Sequence, residues 1–311
     1  MTKRLHVVAA VIENTDGKIL IAKRPQHVHQ GGLWEFPGGK VEADETANSA
    51  LQRELSEELN IQITDSQPLI QINHNYPDKS VFLDVYHVTT FSGKAVGNEG
   101  QEIKWIKKNK LSDFEFPAAN KPIIDATQLP HEYLITPEHE LSNRTDFLER
   151  LELNLQNGIR LIQLRAKSLS DEEFAILYHQ THEITRQYGV KLQLNTSLEN
   201  AIKLQADGIH LTSANLLSST SLPSGLYASA SCHNLKEIQK ACDLGVRFIV
   251  IAPIQLTTTH PEARPLGWQN FSQLCEQSTV PAFALGGMKK TDSSLAIANG
   301  GQGIAAISGL W

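Results

Sequence analysis

Eight short apolar runs recur along the second part of this 311-residue chain, separated by stretches with a helical pattern. They occupy residues 133–136, 161–165, 191–195, 208–211, 227–231, 248–252, 281–285 and 303–307. Strands that alternate with helices in that number predict a parallel (β/α)8 barrel of the TIM type. The chain stops at Trp311, just past the eighth run, so the usual closing helix is expected to be missing.

The first part follows a different rule. Its strand signals are irregularly spaced around one strong helix over residues 46–59, which predicts an α+β domain with a mixed sheet between helices. Val81, Leu83 and Val85 alternate with polar or aromatic neighbours, as in a half-buried strand. The apolar run 6–12, a turn at Gly17 and a second run 19–22 read as a β-hairpin. Residues 124–133 are mostly polar and broken by Pro130, which marks a linker. The expected domains are 1–128 and 131–311, in keeping with a length that exceeds one core.

Composition narrows the setting. Charged residues are 20% and hydrophobic residues 41%, as in soluble globular proteins. A formal charge of −6 offers no general attraction to nucleic acid or to anionic lipid. The apolar run 6–12 is too short for a membrane span and lacks a cleavage site. Cys232, Cys242 and Cys275 are scattered without metal spacing, so a reducing cytoplasm is expected.

The segment 39–61 carries the clearest chemistry. A glycine turn runs into a helix bearing Arg53, Glu54, Glu57 and Glu58. At about 100° per residue, Ala47, Leu51, Leu55 and Leu59 form one apolar stripe. Glu58 falls inside that stripe, with Glu54 and Glu57 beside it. A solvated acidic face would lie opposite the stripe. Carboxylates beside a core need a partner, and Arg53 can neutralise only one. A divalent cation beside a glycine turn points to a phosphate substrate.

The spacing G-x5-E-x7-R-E-L-x-E-E-L-x-I resembles the Nudix box of the Nudix hydrolases. Gly39, Glu45, Arg53, Glu54, Leu55, Glu57, Glu58 and Ile61 fit it, and Asn60 stands where that family usually has glycine. Asparagine tolerates the left-handed conformation that ends such a helix. The resemblance implies Mg²⁺ or Mn²⁺ held by Glu54, Glu57, Glu58 and the Gly38 carbonyl, with Arg53 orienting a carboxylate. Which glutamate serves as base stays open.

The likeness extends through Lys23 to His29, Leu33 to Gly39, Asn98 to Gln101 and Phe116 to Asn120, and resembles MutT-type 8-oxo-dGTP diphosphatases. It implies that Arg24, His29, Phe36, Pro37, Gly38, Gly39 and Asn120 meet a small-molecule nucleotide. Glu99 would be a further carboxylate near the metal. The implied role is cleansing the nucleotide pool in the service of DNA replication and repair. Plainer readings stand beside these: Phe36 as core, Asn120 as a helix cap, Arg24 and His29 as solvated loop residues, Glu99 as a turn residue.

In the second part, Gln163-Leu-Arg165-Ala-Lys167 ends the second strand run, where barrels place their active face. Together with Gly208 to Leu211, Ser229 to His233, Pro253 to Thr259, Leu285 to Gly287 and Gly303 to Ser308, it resembles thiamin phosphate synthase and its relative TenI. The resemblance implies a phosphorylated ligand near Gln163, Arg165, Lys167, Asn195, Ser231, Gly287 and Ser308. The synthases carry aspartates where this chain has Thr196 and Asn215, and a lysine where it has His260. Losing two anionic ligands weakens Mg²⁺ binding and the stabilisation of pyrophosphate. The barrel is therefore expected to bind a phosphate without the coupling chemistry, ahead of a working synthase and beside a purely structural or regulatory barrel.

Overall fold

The computed structural model describes residues 4–75, 80–138, 143–256 and 264–311. The chain divides into two compact units, Met1–Gln128 and Leu129–Trp311. The first contains β1 (Leu5–Ile12), β2 (Lys18–Lys23), β3 (Trp34–Glu35), α1 (Ala47–Leu59), β4 (Ile61–Asn75), β5 (Ser80–Gly93), β6 (Ile103–Lys107) and α2 (Lys121–Gln128).

These strands form two three-stranded sheets, β1-β5-β4 and β3-β2-β6. The first is mixed: β1 runs parallel to β5, and β4 antiparallel to it. Strand alternation sends successive side chains to opposite faces. Val8, Ala10 and Ile12 of β1 join Leu51, Leu55 and Leu59 of α1 in one core. Ala9 and Val11 join Ile123 and Ile124 of α2 in another. The mixed sheet thus lies between two helices, as expected.

Two expectations need correction. The hairpin over 6–12 and 19–22 does not form as a ladder. Between β1 and β2 the chain turns through a bridge from Glu13 to Ile19 and an Asn14 N–H to Lys18 carbonyl bond, and the two strands then enter different sheets. The reason is that the other edge of β1 is taken. Val8 N–H donates to the Gly39 carbonyl at 2.9 Å and Ala10 N–H to the Pro37 carbonyl at 2.8 Å, while Val41 N–H donates to His6. The glycine turn is therefore strapped to the central strand of the mixed sheet. The linker over 124–133 is also shorter than its polarity implies. Residues 124–128 complete α2, with Ile124, Asp125 and Ala126 buried, and Glu132 already belongs to the next strand.

The second unit places β7 (Glu132–Ile135), α3 (Arg144–Gln156), β8 (Leu161–Leu164), α4 (Asp171–Gln187), β9 (Lys191–Leu194), α5 (Leu198–Lys203) and β10 (Gly208–Leu211) in order. It continues with α6 (Ser213–Ser218), β11 (Tyr227–Cys232), α7 (Leu235–Leu244), β12 (Phe248–Ile251), α8 (Gly267–Cys275), β13 (Ala282–Leu285), α9 (Ser293–Ala298) and β14 (Gly303–Ala306). The eight strands are parallel and close into a barrel, β14 pairing with β7. Among the described residues no helix follows β14. Tyr133, Phe248 and Phe283 fill the barrel interior, and the helices bury their apolar stripes on its outside.

Candidate functional site

The site in the first unit is built where the strapped glycine turn meets α1. Thr46 caps α1, its side chain accepting from Ser49 N–H, and Asn60 ends it in the left-handed conformation at φ 54°. Gly38 has φ 147°, and a Cβ there would fall 2.2 Å from the Val8 carbonyl. Gly39 lies so close to α1 that a Cβ would fall 2.2 Å from the Glu54 carboxyl carbon. Only glycine lets the turn pass between β1 and the carboxylates of the helix.

Glu58 accepts a hydrogen bond from Gly38 N–H at 3.2 Å. Burial pushes its carboxyl up to about 8, and Glu35, Glu54 and Glu99 add repulsion against the pull of that N–H. Glu54 is held from the other side by Arg53 Nη1 at 2.9 Å. Arg53 also grips Glu45 and donates to the Lys40 carbonyl at 3.1 Å. Glu57 differs from its neighbours, with a side chain 60% exposed and an Arg53 contact at 3.3 Å. The helix therefore turns Glu54 and Glu58 towards the glycine turn and leaves Glu57 at the rim.

Among the described residues, no three His, Cys, Asp or Glu side chains already stand close enough to grip a metal. The donor chemistry nevertheless fits a hard divalent cation. Glu58 is a half-buried oxygen donor under repulsion from three other carboxylates, and positive charge would reverse that penalty.

Glu99 sits on an exposed turn beyond the end of α1. That turn is tied to the helix: Asn98 donates to the Glu57 and Glu58 carbonyls at 2.8 and 2.9 Å. Arg24 pairs with Glu35 and donates from Nε to the His29 carbonyl at 3.1 Å. His29 lies on an exposed loop. Pro37 is buried and Phe36 is 3% exposed, its ring stacked on Phe116 at 5.4 Å. Phe36 is thus a core residue that backs Phe116. Asn120 is half-buried, and its side chain makes no hydrogen bond among the described residues, so it does not cap α2.

The residue missed by sequence reasoning is Glu35. Burial raises its carboxyl against the pull of Arg24, and it presses electrostatically on Glu58. The signal was present in the quoted segment Leu33 to Gly39. A strand residue two positions before Pro37 gave no periodicity that would single it out.

In the barrel, residues at or just past the C-terminal ends of the eight strands line a cavity of about 1130 Å³. Gln163, Arg165, Lys167, Asn195, Ser231, Gly287 and Ser308 all line it. Arg165 is paired with Glu138 at 2.8 Å, and Asn195 donates to the His210 carbonyl at 3.3 Å. Ser231 meets Nε2 of buried His210 at 2.8 Å, and Ser229 meets its Nδ1 at 2.9 Å. Burial holds His210 down to about 3, so it is neutral at ordinary pH. His233, which ends the Ser229 to His233 segment of the resemblance, also lines the cavity, and its Nδ1 is 2.8 Å from the Ala252 carbonyl. A carbonyl only accepts, so Nδ1 donates in this contact and Nε2 is the nitrogen left towards the cavity.

At Thr196 and Asn215, where the resemblance implies aspartates, neutral side chains are already engaged. Asn200 donates to Thr196 Oγ1 at 2.9 Å and to Asp171 Oδ1 at 3.4 Å, and Asn215 donates to the Thr196 carbonyl at 3.3 Å. Thr196 and Asn215 offer no anionic oxygen to a magnesium ion. The stretch 257–259 and His260 lie outside the described residues.

A NUDIX-domain family model matches residues 8–126, and the thiamine monophosphate synthase model matches residues 132–310. The chain is 40% identical over 124 residues to the CTP pyrophosphohydrolase of Escherichia coli, covering 40% of this chain and 91% of that one. It is 41% identical over 98 residues to the 8-oxo-dGTP diphosphatase of Proteus vulgaris, covering 32% of this chain and 88% of the relative. It is 29% identical over 182 residues to the thiamine-phosphate synthase of Clostridium novyi, covering 57% of this chain and 89% of the relative. The chain belongs to the Nudix family over residues 8–126, where it is a Nudix hydrolase, and to the thiamine monophosphate synthase family over residues 132–310.

Proposed function

We propose that the first unit hydrolyses 8-oxo-dGTP to the monophosphate and pyrophosphate with Mg²⁺ or Mn²⁺. The observation that carries this reading is the crowding of Glu54 and Glu58 against the Gly38–Gly39 turn, with Glu35 and Glu99 close enough to raise the Glu58 carboxyl. Glu54, Glu58 and the Gly38 carbonyl are the donors that would hold the cation, and Glu57 and Glu99 stand at the rim. Such a cation offsets phosphate charge and acidifies a bound water. Arg53 fixes the direction of Glu54. Arg24, released from Glu35, can pair with a phosphate oxygen. The unbonded Asn120 amide can donate and accept at a base edge. Phe116, backed by Phe36, offers the ring face.

The CTP pyrophosphohydrolase relative favours a second reading, in which the base is an ordinary pyrimidine. The test is pyrophosphate release by the full chain from 8-oxo-dGTP, dGTP, CTP and ADP-ribose with Mg²⁺. A clear preference for 8-oxo-dGTP supports the proposal, preference for CTP supports the second reading, and equal rates would sink both.

For the barrel, the proposal is a phosphate-binding site whose coupling chemistry is altered. Arg165, Lys167 and the Gly286–Gly287 turn supply cationic groups and backbone N–H donors without the aspartates that hold magnesium. Thiamin phosphate formation from the thiazole phosphate and the pyrimidine pyrophosphate is the direct measurement. Robust Mg²⁺-dependent turnover would refute the altered chemistry.

A further inference from the structure

The Nudix helix ends in a way that ties two acidic site residues together through one side chain. The last carbonyls of an α-helix have no partner within it. Here the 96–101 segment supplies them. Val96 N–H donates to the Leu59 carbonyl at 3.1 Å, and Asn98 N–H donates to the Glu58 carbonyl at 2.9 Å. Gln101 then adds a second donor to that same carbonyl, Nε2 at 2.9 Å. The other end of its carboxamide is also engaged: Oε1 accepts from Glu99 N–H at 2.9 Å. One planar amide therefore spans from the carbonyl of Glu58 to the N–H of Glu99.

The geometry around it admits little else. Gly97 sits where a Cβ would fall 1.9 Å from the Gln101 carbonyl. Gly100 has φ 83° and donates to the Gly97 carbonyl at 3.0 Å, which folds the turn tightly. A glutamate at 101 keeps the acceptor but sets oxygen against the Glu58 carbonyl. An asparagine falls one methylene short. A leucine fills the space and makes neither bond.

We infer that Gln101 is a positioning residue for the Nudix reaction, setting where Glu99 stands relative to Glu58. Asn98 and Val96 hold the start of the turn to the helix, and the Gln101 amide is the side chain that fixes the Glu99 N–H itself, so without it the Glu99 carboxylate loses its set position on an exposed turn. The effect of Gln101 on hydrolysis passes through Glu99 rather than through substrate contact. The inference rests on the reading of Glu99 as a site residue, and the test separates the two.

The test is a double-mutant cycle on the full chain with Gln101→Leu, Glu99→Gln and both together. Pyrophosphate release is followed with 8-oxo-dGTP, or with CTP if that is the faster substrate. Amide exchange at Glu99 N–H and Mn²⁺ affinity by electron paramagnetic resonance are read on the same variants. Gln101→Leu is expected to lower kcat roughly 10-fold or more, with KM little changed and faster exchange at Glu99 N–H. The double variant is expected to match Glu99→Gln alone. Gln101→Asn is expected to behave as Gln101→Leu, and stands in for it if the leucine variant fails to fold. Additive losses, or an unchanged kcat with only a lower melting temperature, would overturn the brace. If Glu99→Gln itself leaves kcat and Mn²⁺ affinity untouched, the reading of Glu99 fails and the brace fails with it.

Discussion

Arg53 holds Glu45 with both arms of its guanidinium, Nε on Oε1 at 3.0 Å and Nη2 on Oε2 at 2.9 Å. The remaining nitrogen, Nη1, is then left to reach Glu54 at 2.9 Å. One cation fastens the loop before α1 to the helix and aims a site carboxylate. Lysine keeps the charge but cannot make the fork. Arg53→Lys should lower kcat roughly 10- to 100-fold while circular dichroism stays unchanged. Near-native turnover in the lysine variant would show that charge alone suffices.

Two adjacent glycines should fail in different ways. At Gly38 the added methyl meets backbone, the Val8 carbonyl at 2.2 Å, and the φ of 147° is already unfavourable for a side chain. Gly38→Ala should destabilise the first unit by several kcal/mol, on the order of a severe core mutation. At Gly39 the methyl meets only the end of the Glu54 side chain, which can move. Gly39→Ala should keep its melting temperature and lose activity. Denaturant titration and rate measurements on both variants check this, and similar stability losses in the two would contradict it.

Protonation gives the two units opposite pH slopes. The Glu58 carboxyl is raised from 4.5 to about 8. Between those values the unfolded chain has released the proton and the folded chain still holds it, so stability falls as pH rises through that window. His210 is lowered from 6.5 to about 3. There the unfolded chain binds the proton and the folded one does not, so stability rises with pH from about 3 to 6.5. Hydrogen exchange without metal should show α1 losing protection from pH 5 to 8, by a few kcal/mol at most, and β10 gaining it from pH 3 to 6.5. Adding Mg²⁺ at pH 8 should restore α1. Glu58→Gln should flatten its slope, and a slope that survives this change would assign it elsewhere.

The barrel's anion site should work without magnesium. Binding of inorganic phosphate, followed by calorimetry on the full chain, is expected to be unaffected by EDTA and weakened about 10-fold by Lys167→Ala, the loss of one exposed cation contact. Binding that vanishes with EDTA would place a metal in the cavity after all.

Most of this arrangement was legible in the chain. Helix periodicity put Glu58 in the apolar stripe, and its side chain is half-buried there. The same wheel set Glu57 close to the stripe, yet its side chain is mostly exposed and reaches back to Arg53. The eight barrel runs were readable because strands buried on both faces are continuously apolar. The β1–β2 hairpin was misread because local spacing carries no record of residues 37–41, which compete for the edge of β1. Glu35 and Phe36 illustrate the same limit: adjacent in sequence, one turns to the site and the other into the core.

The ring of strands also sets a timetable. Its seam is the pairing of Glu132 with Ile304, Tyr133 with Ala305 and Leu134 with Ala306. No barrel can shut until the ribosome has delivered residue 306, because the first strand waits for the last. The first unit has all its strand partners by residue 107 and its final helix by residue 128. It can reach its working form while the rest is still being made. The first unit can therefore complete its own contacts while the second is still an open sheet.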